Sequence, residues 1–283
     1  MPPIVPPYAS QFKHLAMSFP SENVLHVELK RFWREYGTAF DRIADDPTVR
    51  VVVLSSALEK AFSAGVDLSD LHALPQHTDP GRRALLTRAH LLSFQNAIGA
   101  PARIPQPVIA AVHGVAFGLA LDLLSVVDVR WAASDAAFSI KEVDVGLAAD
   151  TGTLARVPKL VGNASLLGEL ALSARTFGAE EARSSLGFVS RVVQGSREEV
   201  VRAAIVEFAE VVARKSPVAV VGTKRFITHA LDHSVEEALE YQATWAAFAL
   251  QSKDLRESAA AAKRKQKISY DNLGESARNK AKL

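Results

Sequence analysis

Cysteine is absent from the 283 residues, which excludes disulfides, thiolate nucleophiles and cysteine-held zinc. No apolar run reaches the roughly 18–20 residues that a bilayer-crossing helix needs. The opening MPPIVPPYAS has neither the apolar core of a secretory signal nor an arginine-rich amphipathic pattern. HExxH, GxSxG, Walker A and GxGxxG patterns are all missing. Metalloprotease, serine-hydrolase, P-loop and dinucleotide-binding readings therefore lack their minimum parts. Charge of one sign is not in excess either: 33 Lys/Arg face 31 Asp/Glu, a net +2, so nothing global points to nucleic acid.

What is present is apolar matter, 48% of the chain, with an ordinary 23% of charged residues. That suits a soluble chain with a sizeable core, one large domain or one domain plus an appendage. The charge is uneven: nine Lys/Arg face four Asp/Glu from Lys253 onward. A solvated helix with a loose end explains this. So does partial neutralisation of substrate phosphates.

Residues 107–153 organise the rest: PVIAAVHGVAFGLALDLLSVVDVRWAASDAAFSIKEVDVGLAADTGT. The pattern predicts a buried strand over Val108–Val112, a glycine-containing turn, an apolar helix near Leu119–Val126, two strands and a loop. Asp122, Glu142 and Asp150 sit in or beside this apolar context. An acid there is costly to bury unless it is paired or useful, which points to acid/base chemistry beside a turn with free backbone N–H groups. Local readings stand beside that one. Asp122 fits a buried salt-bridge partner, Glu142 and Asp144 fit loop acids, and Asp150 before Thr151 fits a helix N-cap. Asp128 reads as structural, and His113 before Gly114 as a packed turn histidine.

This segment resembles the crotonase (enoyl-CoA hydratase/isomerase) superfamily. KEVDVGLAADTGTLARVPKLVG at 141–162 is most similar to its Δ3,5-Δ2,4-dienoyl-CoA isomerases, which carry acids matching Asp122, Glu142 and Asp150. The resemblance runs from about residue 11 to 268. It implies an α/β fold, a crotonase-like spiral of β-β-α repeats with a C-terminal helical trimerisation region. The expected division is an irregular segment over 1–10, a core over 11–215, helices over 216–268 and a tail over 269–283. It also implies isomerisation of an acyl-CoA thioester without metal or redox cofactor, coenzyme A being part of the substrate. A homotrimer or homohexamer is expected. Ala281-Lys282-Leu283 resembles a peroxisomal address read by an import receptor, so the expected location is the peroxisomal matrix.

On this resemblance Glu142 is the base at substrate C2, Asp150 the acid at C6, and Asp122 polarises or orients Glu142. The apolar lead-in Gly146-Leu147-Ala148-Ala149 is expected to desolvate Asp150 and keep it protonated. The oxyanion hole falls on the N–H groups of Val66 and Leu119, and substrate contacts on Ala64, Gly65, Val66, Asp67, Leu68 and Leu119. The family usually has glycine at 119, so the leucine side chain must point away. An aspartate at 122, where hydratases carry glutamate, argues against water activation. A hydratase, a Δ3-Δ2 isomerase or a silent binding protein of the same fold are the alternatives. The silent reading draws on a family loop of about ten residues that is missing after Leu29 and that helps hold the CoA adenine end.

Flanking elements follow from periodicity and punctuation. A hairpin is expected from Phe12–Met17 and Val24–Leu29, a helix over Phe32–Ile43, a buried parallel strand at Val51–Leu54 and a loop over 71–79. Helices are expected over Gly81–Ala100, Asn163–Ser173, Gly178–Ser185, Glu198–Arg214, Val218–Leu231, Val235–Gln251 and Lys253–Lys267, with a strand at Phe188–Val193. Ser216-Pro217 reads as N-cap and first helical residue.

Overall fold

The computed structural model describes residues 4–30, 33–66 and 75–274, with the side chains of 33 and 34 left aside. Asp67, Leu68 and the Ala281-Lys282-Leu283 end lie outside the described residues, as do Phe32 and residues 71–74 of the loop expected over 71–79.

Strands β1 (Leu15–Ser21) and β2 (Val24–Leu29) form the expected hairpin. β1 lies further along than its pattern indicated. The strand runs on through Ser18–Ser21, which the pattern assigns to the connection, and the chain turns only at Glu22-Asn23, with Asn23 at φ 61°. Pro20 is tolerated because β1 is an edge strand. Helix α1 (Trp33–Ala44) leads to β3 (Val51–Ser56), then β4 (Ala61–Ser63), α2 (Pro80–Ile98) and the short α3 (Ala100–Arg103). The central stretch gives β5 (Val108–Val112), β6 (Val115–Phe117), α4 (Leu119–Ser125), β7 (Val129–Ala133) and β8 (Ala137–Ser139). A single 3-10 turn (Glu142–Val145) follows, then α5 (Thr153–Leu160), α6 (Ala164–Ser173), β9 (Phe177–Gly178), α7 (Ala179–Ser184) and β10 (Arg191–Val193).

Six strands pair in the order β1-β2-β3-β5-β7-β10, and four more in the order β4-β6-β8-β9. In the larger sheet only the β1–β2 pair is antiparallel. Its central strands read as unbroken apolar runs because both faces are covered. Val52, Leu54, Val108, Ala110 and Val112 face the main core, while Val51, Val53, Ile109 and Ala111 face a second cluster built with Val200, Ala204 and Ala209. This is the period of two of a β-strand. The second cluster is covered by α8 (Arg197–Ala203), a π-turn (Ala204–Ala209) and α9 (Glu210–Ala213).

Helices α10 (Pro217–His229), α11 (Val235–Ala249) and α12 (Lys253–Arg264) follow. Ser216 caps α10 as expected, its side chain accepting from the Ala219 N–H. Lys224 fixes α10 to the core. Its buried ammonium donates to the carbonyls of Pro101 (2.7 Å) and Gln106 (2.8 Å) and pairs with Asp128 at 2.9 Å. Asp128 also accepts from the Val108 N–H at 2.7 Å, a structural task. His113 is fully buried, with its Nε2 on the Leu58 carbonyl at 2.8 Å, a packed turn histidine. Among the described residues no helix is long and apolar enough to cross a membrane.

Candidate active site

In the smaller sheet β4 and β6 run out side by side. β4 ends in Ala64-Gly65-Val66, β6 in Gly118 and the first turn of α4. Gly65 has φ +101° and Gly118 φ +53°, both in the region where L side chains are strained. The two turns touch: a Cβ on Gly65 would lie 4.0 Å from the Leu119 nitrogen, and one on Gly118 would lie 3.8 Å from Gly65 Cα. Leu119 is the first residue of α4, so its N–H precedes the helix's own hydrogen-bond ladder. Its side chain is 4% exposed and belongs to the main core, so it points away from the turn as a leucine there must. Val66 and Ala64 are exposed and Gly65 half-buried. The backbone brings the turn that leads into Val66 against the turn that leads into Leu119.

Glu142 closes on the same spot. A Cβ on Gly118 would lie 3.4 Å from Glu142 Oε1. Its other oxygen, Oε2, is buried and accepts from no described residue. Burial, and to a lesser extent the charge of Asp150, push the Glu142 carboxyl above the usual carboxylate range.

Asp122 projects from the first turn of α4 and is 2% exposed. Its Oδ1 accepts both the N–H (2.6 Å) and the hydroxyl (2.8 Å) of Thr153. Burial raises its pKa from 3.8 to about 6. The Thr153 hydrogen bonds oppose that rise, and the charges of Glu142 and Asp150 add to it. No described cation lies within salt-bridge distance of Asp122, so the salt-bridge reading is replaced by a hydrogen-bonded one. The Arg156 guanidinium does feel its charge, with Nη1 buried against Gly152 and unpartnered among the described residues.

Asp150 differs from expectation in two ways. Its side chain is exposed: of the apolar lead-in only Ala149 turns into the core, while Leu147 is 47% exposed and Gly146 and Ala148 are also on the surface. It also caps no helix. α5 begins three residues later with Gly152 as N-cap, and the acid that serves its first turn is Asp122. Asp150 is held instead through its backbone, whose carbonyl accepts from Gln95 of α2 at 2.7 Å. Its charge acts on both other acids, so the three share one electrostatic site.

Thr153 and Arg156 went unremarked in the sequence although both lie inside the 141–162 motif. Their spacing of three on a helix, Thr153 and Arg156 of α5, is the signal that could have marked them. Arg156 is the only basic residue in the first turn of that helix.

Over residues 16–272 the sequence matches the enoyl-CoA hydratase/isomerase family. The chain belongs to that family. It is 42% identical over 260 residues to the mitochondrial Δ(3,5)-Δ(2,4)-dienoyl-CoA isomerase of Homo sapiens, covering 87% of this chain and 78% of that protein. It is 40% identical to the peroxisomal Δ(3,5)-Δ(2,4)-dienoyl-CoA isomerase of Arabidopsis thaliana, covering 92% of each. The fold is similar to a crystal structure of an enoyl-CoA hydratase from Bacillus anthracis, with a TM-score of 0.81 and 25% identity, over 92% of this chain and 99% of that one. This family member thus places the Glu142 carboxylate against Gly118, the residue that opens α4 and its leading N–H.

Proposed function

We propose that this chain is a Δ3,5-Δ2,4-dienoyl-CoA isomerase whose proton transfers are made by Glu142 and Asp150. The observation that carries the residue assignment is the Glu142 carboxylate lying against Gly118, beside the Leu119 N–H, with one oxygen buried and unpaired. A thioester oxygen held by the N–H groups of Val66 and Leu119 brings the adjacent C2 toward that carboxylate. Glu142 removes a C2 proton. The electron pair spreads through C3–C6 and onto the thioester oxygen, where the two N–H groups and the start of α4 hold it. Asp150 donates a proton at C6, and the 3,5-diene has become the conjugated 2,4-diene. Each hole donor is worth about 3 kcal/mol of barrier by analogy with measured oxyanion holes.

The raised pKa of Glu142 suits a base that must match a carbon acid. Asp150 is open to water in the free chain. An acyl tail laid over it excludes that water and brings C6 within its reach. The reaction moves protons and a pair of double bonds with no net redox change, so coenzyme A enters only as part of the substrate.

Assembly as a trimer or a dimer of trimers is supported by apolar side chains left open on the C-terminal helices, Ile227 at 64%, Val235 at 77%, Leu239 at 58% and Phe248 at 74%. Relatives are named mitochondrial and peroxisomal. The final Ala281-Lys282-Leu283 favours the peroxisomal matrix, reached through an import receptor. The test of the activity is direct. Purified protein given a 3,5-dienoyl-CoA should generate the absorbance of a conjugated 2,4-dienoyl thioester. Folded protein that produces none, yet hydrates an enoyl-CoA, would overturn the assignment.

A further inference from the structure

Asp122 is the most buried acid of the three, and Thr153, with no exposed surface, meets it with two donors. Both fall on Oδ1, the N–H at 2.6 Å and the hydroxyl at 2.8 Å. With those lone pairs engaged, a proton reaching Asp122 has to sit on Oδ2, which accepts from no described residue. The nearby Ser125 offers no alternative, since its hydroxyl donates to the Asp122 backbone carbonyl at 2.7 Å.

Capping alone does not require this arrangement. The first turn of α5 needs an acceptor for its N–H, and a neutral amide oxygen would serve. The hydroxyl is surplus to that need. A second donor on one carboxylate oxygen favours the charged form of the acid. The titratable groups around Asp122 are Arg156 from α5, Glu142 from the 3-10 turn and Asp150 from the loop before α5. β4 and β6, which also pack against α4, contribute none.

We propose that Thr153 is a positioning residue: its paired donors hold Asp122 as a carboxylate within the acid cluster, so that Glu142 takes the C2 proton beside a charged and not a protonated neighbour. The task given to Glu142 rests on the isomerase reading. The hold of Thr153 on the charge of Asp122 does not. Burial works against the carboxylate and Thr153 works for it, so the hydroxyl decides how far into the acid range the site stays charged.

Thr153→Val keeps the shape and the backbone N–H but loses the hydroxyl, and Thr153→Ser keeps the N–H and the hydroxyl and loses only a methyl group. In substrate-free protein, the Asp122 carboxyl followed by 13C NMR, and assigned by its loss in Asp122→Asn, should titrate at about 6 in the unaltered chain. It should titrate about one pH unit higher in Thr153→Val and unmoved in Thr153→Ser. The acid limb of kcat/KM should move with it. That is about a three-fold loss at pH 6.5 that vanishes by pH 8.5. A titration unmoved by Thr153→Val, a rate loss of equal size at every pH, or a Thr153→Ser variant behaving like Thr153→Val would each overturn the proposal. If the valine variant does not fold, Thr153→Ala against Thr153→Ser gives the same comparison. A shifted titration in a protein without dienoyl-CoA turnover would uphold the Thr153–Asp122 link and overturn the isomerase reading instead.

Discussion

Replacing Asp122 with asparagine should produce a more stable protein and a worse catalyst. The carboxyl is 2% exposed, and burial lifts its pKa from 3.8 to about 6. A folded pKa above the unfolded one means that folding favours the protonated acid. Stability from this group is therefore fullest below about pH 4, falls as pH climbs through 6, and stays low above it. The whole excursion corresponds to about 3 kcal/mol. Asparagine keeps an oxygen for the two Thr153 donors and never carries the charge. Relative to the unaltered chain, Asp122→Asn should gain about 3 kcal/mol at pH 8 and only about 0.5 kcal/mol at pH 4. For a chain of this size the pH 8 gain is roughly 5 °C in Tm. Thermal and urea unfolding at both pH values and one fixed protein concentration measure it. A variant less stable at pH 8, or a gain that does not shrink at pH 4, would refute the claim that this carboxylate is held ionised against its burial.

Two further substitutions probe the frame of the site. Gly118→Ala forces a side chain onto a backbone at φ +53° and ψ −120° and brings a methyl to 3.4 Å from Glu142 Oε1. It should lower kcat at least ten-fold with about 1–3 kcal/mol lost from stability, read by steady-state kinetics and urea unfolding. Lys224→Met leaves Asp128 and the Pro101 and Gln106 carbonyls without their buried cation. It should cost about 3–5 kcal/mol and loosen α10 from the core, visible as faster hydrogen exchange over 217–229.

The reading of the sequence succeeded where a signal is local. The strands of the larger sheet announce themselves as β-branched runs buried on both faces, as at Val51–Ser56. The helix after Gly118 and the Ser216 cap of α10 are likewise legible, and the acids singled out at 122, 142 and 150 fall within one electrostatic cluster. What failed was whatever depends on a distant partner. Asp150 looks like an N-cap by position, but α5 takes its acceptor from Asp122, 31 residues earlier in the chain, and no capping rule reaches that far. The lead-in Gly146-Leu147-Ala148-Ala149 predicted burial for Asp150, yet only Ala149 is buried and Leu147 is itself exposed. Hydrophobic composition in a loop indicates contact to come, with substrate or another subunit, and not burial within one chain. Thr153 and Arg156 went unnoticed because a threonine and an arginine on a short helix carry no mark until the acid they serve is located.

The account turns on two carboxylates dividing the proton transfers, and isotope exchange separates their tasks. In D2O with a 3,5-dienoyl-CoA, Asp150→Asn should still exchange the C2 proton through Glu142 while forming at least a hundred-fold less 2,4-diene. Glu142→Gln should lose exchange and product together. Asp150→Asn turning over at the unaltered rate, or Glu142→Gln still exchanging C2, would contradict the division.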